Sequence, residues 1–388
     1  MKNTTIVFLS ILFIGCFVPC ASSCDLFNND TSGTVIESIS APFTIDNYTI
    51  FVTTRNDGLE PAVPNYTYVV NMQTRTIVSV ITYKYGRTEH ENFWGPDQAI
   101  PVLGKLWILG ANASHMRNEV LVVNPGEGRL EKIITYKIDN PNLMYYLSSI
   151  GKVVITHGCT FGNYNGHSGS PVTVIDAAGE SYEKMYWLPE ALNEFREDNT
   201  GNIWGFKNNL IPAVDELGIY TFGTTGLSYE TKYVLNHGTC AAVSWSIRGW
   251  PYVILPDGSA VCSTNRGIVC KYSDATTSEI PAGYAVSDDD PLPREIEYCP
   301  VADRVFVNWV QDGGRVGIAV LEKDANGKWV KSGTIIEDPN EGFLVRDGIL
   351  VTACRDKVDD ARYYLNFYST ATLATGSLEK LGSLELTP

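Results

Sequence analysis

Positive charge is in short supply in this 388-residue chain: 29 lysines and arginines stand against 44 aspartates and glutamates, a formal net charge of -15. A surface of that sign repels phosphate, which argues against nucleic acid or an anionic membrane surface as a partner. Long apolar runs are missing beyond the first two dozen residues, so the body of the chain offers no membrane-spanning helix. No two cysteines are spaced CxxC, which removes the usual thiolate zinc site. Helical periodicity is nearly absent too, and the one stretch that could turn as a helix is LPEALNEFRED, residues 188–198. With 44% apolar and 19% charged residues, the composition is nevertheless that of a folded, globular protein.

What is present begins with a leader. Lys2 precedes the apolar run IVFLSILFIGCF, residues 6–17, and small residues follow up to Cys24. One positive charge and an apolar run too short to span a bilayer read as a signal peptide. Cleavage after Ser23 predicts a freely secreted protein, whereas FIGC, ending at Cys16, resembles a bacterial lipoprotein box and predicts a lipid anchor at Cys16. Either way the protein is expected outside the cytoplasm, secreted or at the cell surface or envelope. The expected organisation is a signal peptide over 1–23 (or a lipoprotein leader ending before Cys16), an N-terminal segment over 24–40, and a single domain over 41–388. Four asparagines, Asn29, Asn47, Asn65 and Asn112, head N-x-Ser/Thr sequons, which would make an exported form a glycoprotein where the host adds sugar. Past the leader stand Cys159, Cys240, Cys262, Cys270, Cys299 and Cys354, enough for three disulfides in an oxidising compartment, with the connectivity open.

The domain itself is repetitive. An apolar run, a turn rich in Asp or Gly, and a second apolar run recur as PFTIDNYTIFV, IPVLGKLWIL, YYLSSIGKVVIT, FREDNTGNIWGF, VILPDGSAVC, EYCPVADRVFV and FLVRDGILVT. From Asn47 to Gly348 the turns fall about 50 residues apart, the length of one propeller blade. Each hairpin is followed by another, for example VLVVNPGEGRLEKII and GIAVLEKDANGKWVKSG, rich in Val, Ile, Tyr and Thr and joined by residues that tolerate tight turns. Two hairpins per repeat predict a four-stranded antiparallel sheet. The repeat pattern resembles that of the seven-bladed β-propeller superfamily, which implies an all-β fold of four-stranded antiparallel blades. No tryptophan-aspartate, YVTN or kelch diglycine signature singles out a family within it. The segment GTVIESI, residues 33–39, is a candidate ring-closing strand.

The stretch GHSGSPV, residues 166–172, superficially matches the GDSGGPV that carries the nucleophile of chymotrypsin-like proteases. A serine nucleophile needs a histidine base and a carboxylate to orient it. Here His167 replaces the aspartate, Ser170 replaces a glycine, and no AAHC motif lies upstream, so Ser168 is not expected to be catalytic. The repeat instead puts the stretch in the loop between the second and third strands of blade three.

Sorting polar residues by loop concentrates them at one end of the blades. All five histidines, His90, His115, His157, His167 and His237, fall in or beside the strand-two-to-three loops and the blade-to-blade linkers. Trp94, Asn163, Tyr164, Asn165, Ser168, Arg248 and Arg355 join them there as candidate binding residues. His157, Cys159 and His167 are the candidate metal ligands, because imidazole and thiolate are common donors to zinc-like metals. The sequence requires no cofactor, and a divalent metal is the one these residues could hold. Cys159 is a candidate partner for Cys240 or Cys354 in a disulfide, and the acidic run SDDDP, residues 287–291, is read as an exposed linker in preference to a calcium loop. Cys262 and Cys270, flanking STNRG, are expected nearly opposite each other, as a cross-strand disulfide or as two buried thiols.

The expected function is an exported, non-catalytic propeller that binds an extracellular protein, glycan or small ligand through its loop-rich end. A metal-assisted lyase or hydrolase with histidines at the channel mouth, and a structural envelope or surface-layer module, are the alternatives.

Overall fold

The computed structural model describes residues 7–12, 49–56, 66–82, 96–110, 118–125, 129–138, 141–157, 170–188, 192–198, 200–210, 213–223, 227–235, 252–264, 267–274, 276–281, 296–311, 315–336, 340–355, 363–375 and 378–386. They form β-strands joined by turns, with two short 3-10 turns at Ser148–Ile150 and Ala371–Thr375. No helix among them is long and apolar enough to cross a membrane.

The strands assemble into four-stranded antiparallel sheets, each a simple meander. The first holds β1 (Val7–Leu12), β2 (Thr49–Asn56), β3 (Tyr66–Asn71) and β4 (Thr76–Thr82). The second holds β5 (Pro96–Val102), β6 (Lys105–Gly110), β7 (Glu119–Asn124) and β8 (Arg129–Thr135). The third is β9 (Pro141–Leu147), β10 (Lys152–His157), β11 (Ser170–Asp176) and β12 (Ser181–Leu188), and the fourth β13 (Leu192–Glu197), β14 (Ile203–Leu210), β15 (Ala213–Phe222) and β16 (Leu227–Leu235). Next come β17 (Tyr252–Ile254), β18 (Ala260–Thr264), β19 (Gly267–Lys271) and β20 (Thr277–Pro281), then β21 (Ile296–Cys299), β22 (Arg304–Gln311), β23 (Arg315–Lys323) and β24 (Trp329–Ile336). The last sheet is β25 (Asn340–Arg346), β26 (Ile349–Arg355), β27 (Tyr363–Ser369) and β28 (Glu379–Leu386).

These sheets are blades of propeller type, as the hairpin repeat predicts, with one correction. Six of them, β5 to β28, are complete from residues past 41. The first is not: residues past 41 supply only its described strands β2, β3 and β4, and the place beside β2 is taken by Val7–Leu12, within the stretch expected from the sequence to be a leader. Six complete blades, not the expected seven, therefore stand on the 41–388 chain. The candidate ring-closing residues 33–39 lie outside the described residues.

The chain divides into two compact units, Met1–Lys207 with Leu217–Tyr233 and Pro388, and Asn208–Glu216 with Val234–Thr387. In the first, β9 lies beside both β5 and β13; in the second, β21 lies beside both β17 and β25. Consecutive blades thus stack through their first strands. Inner strands are buried on both faces and read as continuous apolar runs: in β10, Val153, Val154 and Ile155 are all fully buried. The fourth strands face solvent on one side, and β20 alternates exposed and half-buried residues along its length. Trp107 anchors the core of the first unit, and Trp329 and Phe306 serve the second.

Local chemistry explains the turns. In the β5–β6 turn Leu103 and Gly104 take φ of 50° and 78°, and in the β25–β26 turn Asp347 and Gly348 take 46° and 78°, the paired left-handed geometry of a two-residue hairpin. The helix considered over 188–198 is instead the strand β13. Phe195, 1% exposed, meets the rings of Tyr145, Tyr220 and Phe222, and that packing overrides the helical propensity of LPEALNE.

Candidate functional site

The turn ends of the blades consume their own polar groups. Glu197, at the end of β13, accepts four hydrogen bonds from the β9–β10 turn. Ser148 donates through its amide (2.9 Å) and hydroxyl (2.8 Å) to Oε2, and Ser149 through its amide (2.8 Å) and hydroxyl (2.6 Å) to Oε1. Next to it, Asp198 accepts from the amides of Thr200 and Asn202, the Thr200 hydroxyl, Asn202 Nδ2 and Trp204 Nε1, all at 2.7–3.0 Å. Partial burial pushes the Asp198 carboxyl up, but those donors outweigh it and hold it down to about 2. Asp274 and Asp324 repeat the arrangement, and both carboxyls are lowered by the groups that donate to them. Lysines fasten neighbouring strands: Lys105 pairs with Glu131 and Glu180, and Lys152 with Asp176 at 2.8 Å and Glu183 at 2.6 Å.

At the other end the connections range from the two residues between β14 and β15 or between β18 and β19 to much longer ones, and the candidate residues fall in the long ones. His90 and Trp94 lie between β4 and β5, His115 between β6 and β7, and Cys159, Asn163, Tyr164, Asn165, His167 and Ser168 between β10 and β11. His237, Cys240 and Arg248 lie between β16 and β17, and the acidic run 287–291 between β20 and β21. All of these lie outside the described residues. Arg355 is the last residue of β26, opposite Tyr363.

His157 is described, at the root of the longest strand-two-to-three loop. It is 5% exposed, shares a 2.9 Å hydrogen bond between Nε2 and the Thr173 hydroxyl, and meets the Tyr136 ring edge-on at 5.7 Å. The register explains the contact: Thr173 faces Ile155, so His157 two residues on lies diagonally across the same sheet face. His157 thus ties β10 to β11 and to the end of the preceding blade, as a side chain built into the core. The described residues hold no cluster of three or more His, Cys, Asp or Glu suited to a metal.

The cysteines decide between the alternatives considered for Cys262 and Cys270 and remove one partner considered for Cys159. Cys262 pairs across the sheet with Val269, and Cys270 with Val261. That one-residue offset sends the two side chains to opposite faces, so no cross-strand disulfide forms. Both are buried thiols outside any disulfide, and burial pushes Cys270 up to about 12, so it stays protonated. Cys354, considered as a partner for Cys159, is likewise a buried thiol in no disulfide. It sits in a buried polar group that sequence reasoning missed: Asn366 Nδ2 donates to its sulfur at 3.3 Å, the Thr352 hydroxyl lies 3.5 Å from it, and Ser383 donates to Asn366 Oδ1 at 2.6 Å. The signal for it was an asparagine at the centre of the apolar strand YYLNFYS.

No known protein family matches the chain, and no curated protein does. Solved structures do. A proposed 6-phosphogluconolactonase from Bacteroides uniformis superposes with a TM-score of 0.53 at 13% identity, covering 97% of this chain and 99% of that one. A Lactobacillus plantarum protein gives 0.53 at 12% identity over 82% and 91% of the two chains, and hydrazine synthase from Kuenenia stuttgartiensis 0.52 at 12% over 90% and 98%. The likeness is one of fold: these neighbours are propeller proteins, and this chain shares their four-stranded blades.

Proposed function

We propose that the protein is an exported, non-catalytic β-propeller that binds an extracellular protein, glycan or small ligand through its strand-two-to-three loops and blade linkers. The observation that carries this reading is the asymmetry of the blades. Polar groups at the turn ends are engaged within the turns themselves, as the clasps on Glu197 and Asp198 illustrate. Four of the five histidines, with Trp94 and the run Asn163, Tyr164, Asn165, belong to the longer connections at the opposite end, where a rigid scaffold carries its recognition residues. Similarity to the 6-phosphogluconolactonase candidate supports the scaffold and leaves its chemistry with that protein.

The test uses the exported protein, glycan-array and small-molecule binding, and elemental analysis of the same preparation. Binding that falls at least roughly tenfold in a Trp94→Ala or Tyr164→Ala variant of unchanged Tm is the expected result. A stoichiometric transition metal lost in a His167→Ala variant overturns the non-catalytic reading in favour of the metal-assisted lyase or hydrolase. Concentration-dependent self-association without ligand binding favours the structural envelope module.

A further inference from the structure

The first blade is put together differently from the other six. In those, the first and second strands are joined by a turn of two to five residues, such as Leu103–Gly104 between β5 and β6 or Asp347–Gly348 between β25 and β26. Between β1 and β2 lie residues 13–48, and β1 itself is Val7–Leu12, the centre of the leader's apolar run. It pairs antiparallel with β2, from Leu12 opposite Phe51 to Val7 opposite Asn56, while the other edge of β2 is held by β3. Removal of the leader therefore strips one edge of β2 of its partner.

The chain just before β2 has the pattern of a first strand. Residues 39–45 read Ile-Ser-Ala-Pro-Phe-Thr-Ile, with Ile39, Ala41, Phe43 and Ile45 alternating against Ser40, Pro42 and Thr44. That is the period of a half-buried strand, whereas Val7–Leu12 is apolar at every position but Ser10. Asp46 and Asn47 follow, two residues that accept the left-handed backbone of a tight hairpin. Closing the hairpin there sets Ile45 opposite Tyr48 as a hydrogen-bonded pair, which makes Thr44–Thr49 and Pro42–Phe51 non-hydrogen-bonded pairs. Proline at such a position withholds no ladder donor. Pro101 of β5, opposite Leu106 and one step from its own two-residue turn, stands in the same class of position.

We infer that β1 is a placeholder, and that in the exported protein residues 39–45 fold back through Asp46–Asn47 onto the edge of β2 that the leader vacates. This rests on the export reading. The leader and the hairpin compete for a single edge, so the first blade is completed in its final form only after processing.

The test is the full-length Thr44→Cys/Thr49→Cys double variant, expressed with its leader, recovered as folded exported protein and treated with a mild oxidant. Opposed non-hydrogen-bonded residues lie within disulfide range, about 4.5 Å between Cα atoms. An N-terminus beyond Leu12, with the two introduced thiols linked to each other in the peptide map, is the expected result. The same N-terminus with both thiols unlinked overturns strand replacement and leaves export standing. Folded protein that retains residues 7–12 overturns export and strand replacement together. Should the double variant fail to accumulate, Phe43→Asp is compared with Thr44→Asp: the first loses roughly threefold or more of its secreted yield and the second stays near wild type, whereas equal yields overturn the inference.

Discussion

At the turn end of blade four, Glu197 and Asp198 collect nine hydrogen bonds between them from Ser148, Ser149, Thr200, Asn202 and Trp204, nearly all at exposed or half-exposed atoms. At the loop end of blade three, His157 is buried, and its contacts include the Thr173 hydroxyl and the Tyr136 ring edge. Bonds at the solvent boundary and contacts in the core are different ways of fixing a strand end. A buried group forfeits packing and strands its partner when it is removed, whereas a solvated clasp is partly replaced by water. The burial of His157 should therefore outweigh the larger bond count at Glu197.

That ordering can be broken by measurement. His157→Ala removes a buried ring and leaves the Thr173 hydroxyl without this partner, at an expected cost of about 3 kcal/mol in urea unfolding. A variant that unfolds at the wild-type midpoint yet loses ligand or metal would move His157 from the core to the binding site. Glu197→Ala comes next, at about 2 kcal/mol, since hydrogen bonds to a carboxylate are stronger than neutral ones but solvent screens this site. Ser148→Ala and Ser149→Ala should each recover part of that loss, and a Glu197→Ala effect above that of His157→Ala would reverse the comparison.

Asp198 adds a pH window. Its folded-state value of about 2 lies below the unfolded value near 3.8, so its clasp stabilises above pH 4 and is lost as pH falls towards 2. Solvent exposure reduces the contribution to about 1 kcal/mol. Wild type minus Asp198→Asn, followed by urea midpoints from pH 5 to about pH 2, isolates this term from Asp176, Glu183, Asp274 and Asp324, whose carboxyls are also lowered. A difference that does not change with pH would mean that the clasp holds no charge-dependent bonds.

Much of this was legible in the sequence, for a physical reason. Hairpin turns need residues tolerant of positive φ, and strands buried on both faces need unbroken β-branched runs, so the four-stranded repeat is written locally at every blade. Register is not written locally. The offset that parts Cys262 from Cys270 depends on where Thr264 meets Gly267, one step in a short turn that composition does not fix. The hairpin FREDNTGNIWGF begins a strand at Phe195, but its start at Leu192 is hidden by the helical look of LPEALNE, because what decides it is Phe195 against Tyr145, Tyr220 and Phe222, residues distant in the chain. His157 was legible as the close of a strand but not as a core residue, since its partner Thr173 lies across a long loop.

The smallest expected effect lies at the turn end and has the opposite sign. Leu103 holds φ of 50° while 59% exposed, so it bears the left-handed penalty of a side-chain-bearing residue and gains little packing for it. Asparagine suits this first position of a two-residue hairpin, and Leu103→Asn should raise stability by about 0.5 kcal/mol. Gly104→Ala is the control: its φ of 78° disfavours any Cβ although the space around it is open, so that variant should lose stability on conformation alone. If Leu103→Asn is destabilising instead, the exposed leucine is covered in the assembled protein. The turn end would then be a surface with a partner of its own, beside the loop end proposed for recognition.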